Sequence, residues 1–267
     1  MIRTVWVLLC TAVATILHGC GAIMGAMLGQ DDRPGSLRER APRNWGRMIN
    51  WAAGVTVQVH GGEHRLGDQH VFVANHISWL DIAVVAAHLR SFKFGAKAEL
   101  KRIPIFGRAA AAAGTVYIER ENRKAAFDAY KDAASKIQAG ASVVVFAEGT
   151  RAASYALRPF KKGPFVLAIA AQAPIVPTLI YGTLEVKPHG QFGMRPGTVH
   201  VHFLEPIPTV GLTYADRDTL AVRVRDRMAD VLEHEYGVVS TPWAPRRAES
   251  AVGDGATAAD VPTHSAD

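Results

Sequence analysis

The chain has 267 residues, of which 49% are hydrophobic and 20% are charged, and its formal net charge is +6. This composition supplies ample apolar material for a core and excludes a wholly disordered chain. The two cysteines exclude a disulfide-stapled scaffold and a zinc site built mainly from thiolates. The basic balance is typical of a protein that meets anionic lipid, a phosphorylated substrate or nucleic acid, and charge alone does not choose among them.

An apolar segment begins the chain. Residues 4–30 contain no Asp, Glu, Lys or Arg, and a helix of that length measures about 40 Å, enough to span about 30 Å of hydrocarbon. A cleaved signal peptide usually has a shorter apolar stretch, of about 7–15 residues. A lipoprotein processing site at Cys20 is a poor fit because His18 stands before the Gly-Cys pair. We therefore expect a retained helix that either spans the membrane or lies in its surface.

Arginines follow this segment, whereas Arg3 alone precedes it. The arginines that follow are Arg33, Arg38, Arg40, Arg43 and Arg47. The positive-inside rule predicts that the side that follows faces the cytoplasm. Residues 45–55 have apolar positions at helical spacing, which fits an amphipathic helix at the lipid headgroups and equally a surface helix packed on the core. We expect residues 1–54 to form a membrane-anchoring segment.

Short β-branched runs alternate with helical patterns through the rest of the chain. The predicted strands are 55–60, 71–74, 92–96, 115–118, 142–146, 175–181 and 198–203, and the predicted helices are 79–90, 123–139, 163–172 and one that begins near Asp216. This alternation predicts an α/β layered domain over residues 55–240. The composition then changes to Pro, Ala, Ser, Asp and Thr, which predicts a disordered tail over residues 241–267.

The first segment with candidate catalytic residues follows the predicted strand 71–74. On one regular helix, His76 and Asp81 would diverge, so they meet only if His76 lies in a loop and Asp81 in the first helical turn. A carboxylate bonded to one imidazole nitrogen fixes the tautomer and makes the other nitrogen a better base. The body has no Gly-x-Ser-x-Gly motif and no cysteine, which favours a nucleophile on the substrate. Taken in isolation, the spacing favours the alternative of a histidine that caps a turn.

Two further segments also follow predicted strands. Gly149 permits a close backbone approach, and Arg151 suits an oxyanion or a phosphate. Arg120 places a second guanidinium at the end of a strand. Ligands in open α/β sheets gather beyond the carboxyl ends of the strands, so these segments are candidates for an anion site. Alternatively, Arg151 pairs with Glu148 at the surface, and Arg120 pairs with a neighbouring glutamate.

In combination these segments resemble the glycerolipid acyltransferase family, of the lysophosphatidic acid acyltransferase type. That family has an Asn-His-x4-Asp block, a Gly-x-x-Phe-Ile-x-Arg block, a Phe-Pro-Glu-Gly-Thr-Arg block and a Val-Pro-rich block. This chain has them in the same order at residues 75–81, 114–120, 146–151 and 175–177. Tyr117 replaces the usual Phe and Ala147 the usual Pro, and neither change removes a group needed for chemistry. The resemblance covers about residues 45–210.

The resemblance implies a mixed β-sheet flanked by helices and a transfer of a fatty acyl group to lysophosphatidic acid. His76 would remove the proton of the acceptor hydroxyl, and Asp81 would orient His76. The implied substrate-binding residues are Asn75, Arg120, Glu148, Gly149, Thr150 and Arg151, with Lys97 and Lys161 as weaker candidates. No metal and no cofactor is implied beyond acyl-CoA or acyl carrier protein as the donor.

The implied partners are a lysophospholipid acceptor, the acyl donor and a membrane surface. The chain would then work at the cytoplasmic face of the inner or plasma membrane. Nucleic acid is not an expected partner, because the basic residues form no stripe with interleaved aromatics. Two alternatives remain open. The acceptor could be another lysolipid, such as a lyso-ornithine lipid, or the chain could be a non-catalytic lipid-binding protein on the same fold.

Overall fold

The structure is a computed structural model that describes residues 2–30, 35–67, 69–119 and 123–243, with side chains in the last range from residue 128 on. Arg33 and Arg120 lie outside the described residues, as does the predicted tail from residue 244 on.

Helices and strands alternate along the body of the chain. The helices are α1 (Ile2–Met27), α2 (Leu37–Ala53), α3 (Leu80–His88), α4 (Phe106–Ala112), α5 (Arg123–Gln138), α6 (Gly163–Ala171), α7 (Thr183–Val186) and α8 (Arg217–Tyr236). The strands are β1 (Val55–His60), β2 (Val71–Ala74), β3 (Phe92–Lys97), β4 (Val116–Ile118), β5 (Ser142–Phe146), β6 (Ile175–Tyr181) and β7 (Gly197–Phe203).

The strands form one mixed sheet in the order β1-β7-β6-β2-β5-β3-β4. Neighbouring strands are parallel except for the antiparallel pair β6 and β7. The carboxyl ends of β2, β3, β5 and β6 therefore meet at one edge of the sheet. The expected mixed sheet flanked by helices is confirmed.

Both faces of the sheet are covered. One core cluster joins the sheet to α2 and α3 and includes Ile49, Leu80 and Val84, while the other joins it to α5, α6 and α8 and includes Ile137 and Phe165. Strands that are buried on both faces read as continuous apolar runs, as β2 and β5 do here. The three layers hold the strand ends, and thus the candidate site, rigidly.

Three helices depart from the sequence-based prediction, the shortest of them the unpredicted α7. Helix α2 begins at Leu37 and not near residue 45, because Ser36 caps it by accepting a hydrogen bond from the backbone N–H of Glu39 at 3.2 Å. Helix α4 was not predicted, because its run of alanines has no apolar–polar period to read.

Helix α1 packs along the protein with one face and exposes the other. Its buried residues are Thr4, Val7, Cys10, Ala14, Gly19, Ala22 and Gly25. A side chain at Gly19 would approach Ala109 of α4 to 2.9 Å, so glycine permits this close packing. The opposite face is apolar and exposed. Among the described residues, α1 is the one helix long and apolar enough to cross a membrane.

The segment after α8 contacts the body up to the last described residue. The backbone N–H of Leu157 donates to the hydroxyl of Ser240 at 2.9 Å, and the guanidinium of Arg225 donates to the carbonyl of Thr241 at 2.6 Å. Trp243 packs against the core. Residues 240–243 thus lie with the domain, a few residues beyond the boundary expected from composition.

Three histidines stack where β1 and β7 pair. The rings of His60 and His202 lie 4.2 Å apart, and Nε2 of His202 is 2.6 Å from the hydroxyl of Tyr236. Burial, and then the neighbouring His60 and His200, lower the pKa of His202 to about 4. The folded protein therefore holds this ring neutral at a pH where the unfolded chain binds a proton.

We expect the free energy of unfolding to fall as the pH falls from about 6.5 to about 4, because the unfolded state binds more protons over that window. Urea unfolding at several pH values measures this dependence. His202→Gln should make it shallower, whereas His234→Gln, at an exposed histidine of α8, should not. Parallel pH profiles for the wild type and His202→Gln would contradict the assignment.

Candidate active site

The two most informative sequence blocks leave adjacent strands. β2 and β5 are parallel, and Ala74 pairs with Phe146 in the register. Residues 75–81 and 147–151 therefore start side by side at the carboxyl edge of the sheet. This is the position at which ligands bind in open α/β sheets.

The histidine and the aspartate meet as the sequence predicts. His76 lies in the loop before α3, and Asp81 lies in the first turn of that helix, with Nδ1 of His76 2.8 Å from Oδ2 of Asp81. The same oxygen accepts the backbone N–H groups of Ile77 at 2.7 Å and Ser78 at 2.8 Å. The hydroxyl of Thr183 donates to Oδ1 at 2.7 Å. Asp81 is fully buried, and its hydrogen bonds fix its position.

This arrangement prepares the imidazole to act as a base. A carboxylate that accepts the Nδ1–H bond selects the tautomer in which Nε2 carries the lone pair. The ring of His76 stacks on that of Phe146, with centroids 4.2 Å apart and an angle of 23° between the planes. These contacts fix the ring orientation, and His76 lines a cavity at this edge of the sheet.

Glu148 holds the loop that carries His76. Its Oε1 accepts a hydrogen bond from the backbone N–H of His76 at 3.1 Å, and its Oε2 accepts one from Nε–H of Arg158 at 2.8 Å. The ion-pair partner of Glu148 is Arg158, and not Arg151 as one reading of the sequence suggested. The buried side chain of Glu148 thus links the His76 loop to Arg158, and its predicted contact with substrate stays a prediction.

Asn75, for which a contact with substrate stays a prediction, bonds the neighbouring strand in this structure. It is fully buried; its Nδ2 donates to the carbonyl of Ile180 at 3.0 Å, and its Oδ1 accepts the N–H of Ile180 at 2.8 Å. The side chain thus imitates a backbone unit and extends the pairing of β2 with β6. It anchors the start of the His76 loop.

A cavity of about 630 Å³ opens beside His76. Its polar end has Lys97, Gly149, Thr150 and Arg151. Its remaining wall is mostly apolar and comes from α1, α2, α4 and β3; the residues from α1 and α2 are Thr15, His18, Gly19, Ala22, Ala41, Pro42 and Trp45. A cavity with a charged end, a base and a long apolar wall suits a molecule that has both an anionic head and a hydrocarbon chain.

Four of the described predicted site residues are not among those that line this cavity: the buried Asn75, Asp81 and Glu148, and Lys161. Lys161 is exposed, and its contribution to the site is the backbone N–H that donates to the carbonyl of Ala147 at 2.8 Å. Arg120 lies outside the described residues, so its predicted contact with the acceptor stays a prediction.

Comparisons with known proteins agree with this geometry. Residues 56–181 match a family model described as Acyltransferase. The chain is 30% identical over 246 residues to the 1-acyl-sn-glycerol-3-phosphate acyltransferase of Saccharomyces cerevisiae, across 86% of this chain and 78% of the yeast protein. The chain belongs to the glycerolipid acyltransferase family, of the lysophosphatidic acid acyltransferase type.

Other members of this acyltransferase family are similar over a smaller share of their length. The chain is 36% identical over 189 residues to the human 1-acyl-sn-glycerol-3-phosphate acyltransferase alpha, across 68% of this chain and 66% of the human protein. It is 35% identical over 162 residues to a chloroplastic 1-acyl-sn-glycerol-3-phosphate acyltransferase of Brassica napus, across 60% of this chain and 45% of the plant protein.

A solved structure supports the fold over most of the chain. The crystal structure of the 1-acyl-sn-glycerophosphate acyltransferase PlsC from Thermotoga maritima superposes with a TM-score of 0.72 at 25% sequence identity. The superposition covers 90% of this chain and 97% of the other. The mixed sheet and its helices are therefore shared with an acyltransferase of known structure.

Sequence reasoning missed two side chains that position the acyltransferase site. Thr183 bonds Asp81 across 102 residues of chain, and Arg158 pairs with Glu148. Neither belongs to a recognisable block. The one available signal was the position of Thr183 directly after a predicted strand, where polar residues gather at the carboxyl edge.

Tyr155 holds the turn that carries Thr183. Its hydroxyl accepts the backbone N–H groups of Gly182 at 2.7 Å and Leu184 at 2.9 Å, and donates to Glu185. Burial, and then the hydrogen bond to Glu185, raise the pKa of Tyr155 well above its usual range. The hydroxyl therefore stays protonated and keeps the turn in place.

Thr183→Val should lower kcat about fivefold and change KM little. Valine matches threonine in shape but removes the hydroxyl. A hydrogen bond to a charged group is worth roughly 1.5–3 kcal/mol, and we expect part of that loss to reach the transition state, because Asp81 keeps its bonds to His76, Ile77 and Ser78. Steady-state kinetics checks this. Thr209→Val is the matched control, because Thr209 is a buried threonine that bonds the carbonyl of Ala173 at 2.8 Å on another part of the domain. Equal losses in both variants would indicate a general effect on stability.

Proposed function

We propose that this acyltransferase moves a fatty acyl group from acyl-CoA or acyl carrier protein to the free sn-2 hydroxyl of lysophosphatidic acid, giving phosphatidic acid. The observation that carries the proposal is the His76–Asp81 pair, with its 2.8 Å contact, at the polar end of a cavity whose wall is mostly apolar. Relatives named 1-acyl-sn-glycerol-3-phosphate acyltransferase support the same substrate.

The chemistry needs one base and one proton carrier. Nε2 of His76 removes the hydroxyl proton while the oxygen attacks the thioester carbonyl, and the imidazolium then gives that proton to the departing thiolate. Asp81 keeps the ring oriented and stabilises its charged form. A well-placed base contributes about 10²–10⁴-fold to the rate. Positioning of the two substrates supplies further acceleration.

The acceptor phosphate would lie at the charged end of the cavity. Arg151 and Lys97 are exposed and line that end, and the family block assigns Arg120 to the same phosphate. A guanidinium can offer two parallel donors to phosphate oxygens, which favours the arginines over Lys97. Lys161 has less support, because its side chain is not among those that line the cavity.

One substrate is a lipid, so the active site has to meet a membrane. The exposed apolar face of α1 supports an attachment through residues 1–54. The arginines after α1 support an orientation with the catalytic domain on the cytoplasmic side. The proposed reaction moves a proton and an acyl group only, so it requires no metal or prosthetic group.

The proposal is tested with purified protein in a panel of acceptors and donors. Lysophosphatidic acid and lyso-ornithine lipid are each offered with acyl-CoA and with acyl carrier protein, and products are identified by mass. We expect phosphatidic acid as the main product. A clear preference for lyso-ornithine lipid would identify that lipid, and not lysophosphatidic acid, as the acceptor. Binding of lysolipid without release of free thiol would indicate a non-catalytic lipid-binding protein.

Removal of residues 244–267 should leave kcat and KM within about twofold of the full-length values. This segment begins after Trp243, which packs against the core, and it has little apolar content with which to pack. A second truncation that removes Ser240 to Trp243 as well should lower the thermal midpoint, since it removes the contacts to Leu157 and Arg225. A severe loss of specific activity in the shorter deletion would show that the tail takes part in catalysis.

A further inference from the structure

A second groove, of about 1100 Å³, lies beside α2. It is bounded by α2, the start of β1, the turn before β2, and the end of α3 with the residues after it. Arginines dominate its wall, and we call it the arginine groove: Arg40, Arg43, Arg47, Arg65 and Arg90. Among the described residues that line it, Glu39 is the one acid.

Glu39 does not neutralise this charge. Its side chain is buried, and its carboxylate accepts the backbone N–H groups of Gly35 at 3.2 Å and Ser91 at 3.3 Å. It also lies 3.5 Å from the guanidinium of Arg43. One carboxylate facing five guanidiniums leaves the described part of the groove strongly positive.

Two guanidiniums have donors to spare. The Nε atoms of Arg43 and Arg65 are buried and have no hydrogen-bond partner within the described part of the chain. A buried donor without a partner is costly, so such atoms point to an acceptor that completes the site. Arg65 is held in place because its Nη1 donates to the carbonyl of His88 at 2.7 Å. Burial lowers the pKa of His88, and the charges of Arg65 and Arg47 lower it further.

The arginine groove is separate from the catalytic cavity. The two share no lining residue among those described. Helix α2 serves both, with Pro42 and Trp45 toward the cavity and the arginines toward the groove. Helix α3 carries Asp81 in its first turn at the active site and ends at the groove with His88, about 10 Å further along its axis.

The groove borders the apolar surface that would contact lipid. Trp51 lines it and is 68% exposed. The ring of Trp51 packs edge-on against Trp6 of α1, with centroids 6.0 Å apart, and Trp6 belongs to the exposed apolar face of that helix. Tryptophans favour the boundary between hydrocarbon and headgroups. Arginines beside them would lie at the depth of the lipid phosphates.

We propose that the arginine groove binds the phosphate of an anionic membrane phospholipid, as a lipid site separate from the catalytic cavity. The positive lining supplies the charge, and the spare Nε donors of Arg43 and Arg65 supply directed hydrogen bonds, which guanidinium groups make to phosphate oxygens in pairs. The exposed tryptophans favour a lipid source over a free phosphate.

The test measures binding of fluorescent phosphatidylglycerol to the full-length protein in neutral detergent micelles. The variant Arg47→Gln/Arg90→Gln removes two exposed groove arginines. At about fivefold per arginine near a lipid surface, the apparent Kd should rise roughly 25-fold. The matched control is Arg102→Gln/Arg108→Gln, which removes two exposed arginines at and just before α4, a helix that also packs on α1. It should change the Kd less than twofold.

A charge-conserving variant separates a built site from diffuse attraction. Arg43→Lys keeps the positive charge and loses the planar pair of donors. Its Kd for phosphatidylglycerol should rise at least threefold if the guanidinium holds the phosphate. Thermal unfolding confirms that the variant is folded, since Arg43 also faces Glu39.

Three results would overturn the proposal. Equal weakening in the groove variant and the α4 control would indicate nonspecific attraction. Wild-type affinity in both Arg43→Lys and the double groove variant would remove the site. Weaker binding of CoA by the groove variants in the absence of anionic lipid would reassign the groove to the donor. Because the assay contains no acceptor or thioester, its outcome is independent of the acyl transfer proposed above.

Discussion

His76→Ala should lower kcat for acyl transfer by at least about 10²-fold, which is the lower range of what a general base contributes. The described part of the active site offers no second imidazole in contact with Asp81, so no neighbouring group can replace the lost base. Membrane binding should survive, because the proposed anchoring surface lies on α1 and α2 and does not include His76. Release of free CoA thiol and sedimentation with vesicles measure the two properties separately.

His189→Ala is the matched control for this variant. His189 also lines the catalytic cavity, and it is exposed. We expect its removal to change kcat less than threefold. If a folded His76→Ala protein turned over within a few-fold of the wild type, proton transfer by His76 would be rejected, and the pair would be a structural cap for the loop.

Asp81→Asn should lower kcat by about 10²–10⁴-fold while the protein stays folded. The amide fits the same space: its oxygen can accept the backbone N–H groups of Ile77 and Ser78, and its NH₂ group can donate to the hydroxyl of Thr183. What is lost is the negative charge that stabilises the imidazolium formed during the reaction. The loss should therefore appear in kcat rather than in the KM for either substrate.

Thermal unfolding of two variants separates the loss of the Asp81 charge from a loss of stability. Thermal unfolding should show a small change in Tm for Asp81→Asn, since the hydrogen-bonding geometry has a replacement at each position. Asp81→Ala should instead lower Tm markedly, because it leaves the buried backbone N–H groups of Ile77 and Ser78 without an acceptor. Near-normal turnover by a folded Asp81→Asn enzyme would show that Asp81 serves the fold alone.

Local sequence patterns were sufficient to predict several strands and part of the candidate site. The strands β1, β2, β5 and β6 begin and end at the predicted residues, because their apolar runs are bounded by turn residues. The meeting of His76 with Asp81 also followed from local geometry, since a loop followed by a first helical turn is determined over a few residues. The shared edge of the β2 and β5 blocks followed from the rule for parallel strands.

The side-chain contacts that the sequence did not reveal join residues that are distant in sequence. The spacing of residues says nothing about Thr183 and Asp81, which meet because the turn after β6 folds over the start of α3. The same is true of Asn75, whose polar side chain suggested a substrate contact. It completes the pairing of two strands, and only the strand order of the sheet reveals that use. Similarly, Arg151 and Arg158 both lie near Glu148 in the sequence, and the ion pair in the structure is with Arg158.

Helix α1 supplies part of the catalytic cavity wall through Thr15, His18, Gly19 and Ala22. The membrane anchor and the substrate chamber are thus one piece of chain, and a generic hydrophobic tether cannot replace it. One face of α1 is apolar and exposed, as the proposed contact with lipid requires, and the other face closes the cavity. A truncated protein without α1 would lack this part of the catalytic cavity wall. We expect its selectivity for acyl groups to differ from that of the full-length enzyme.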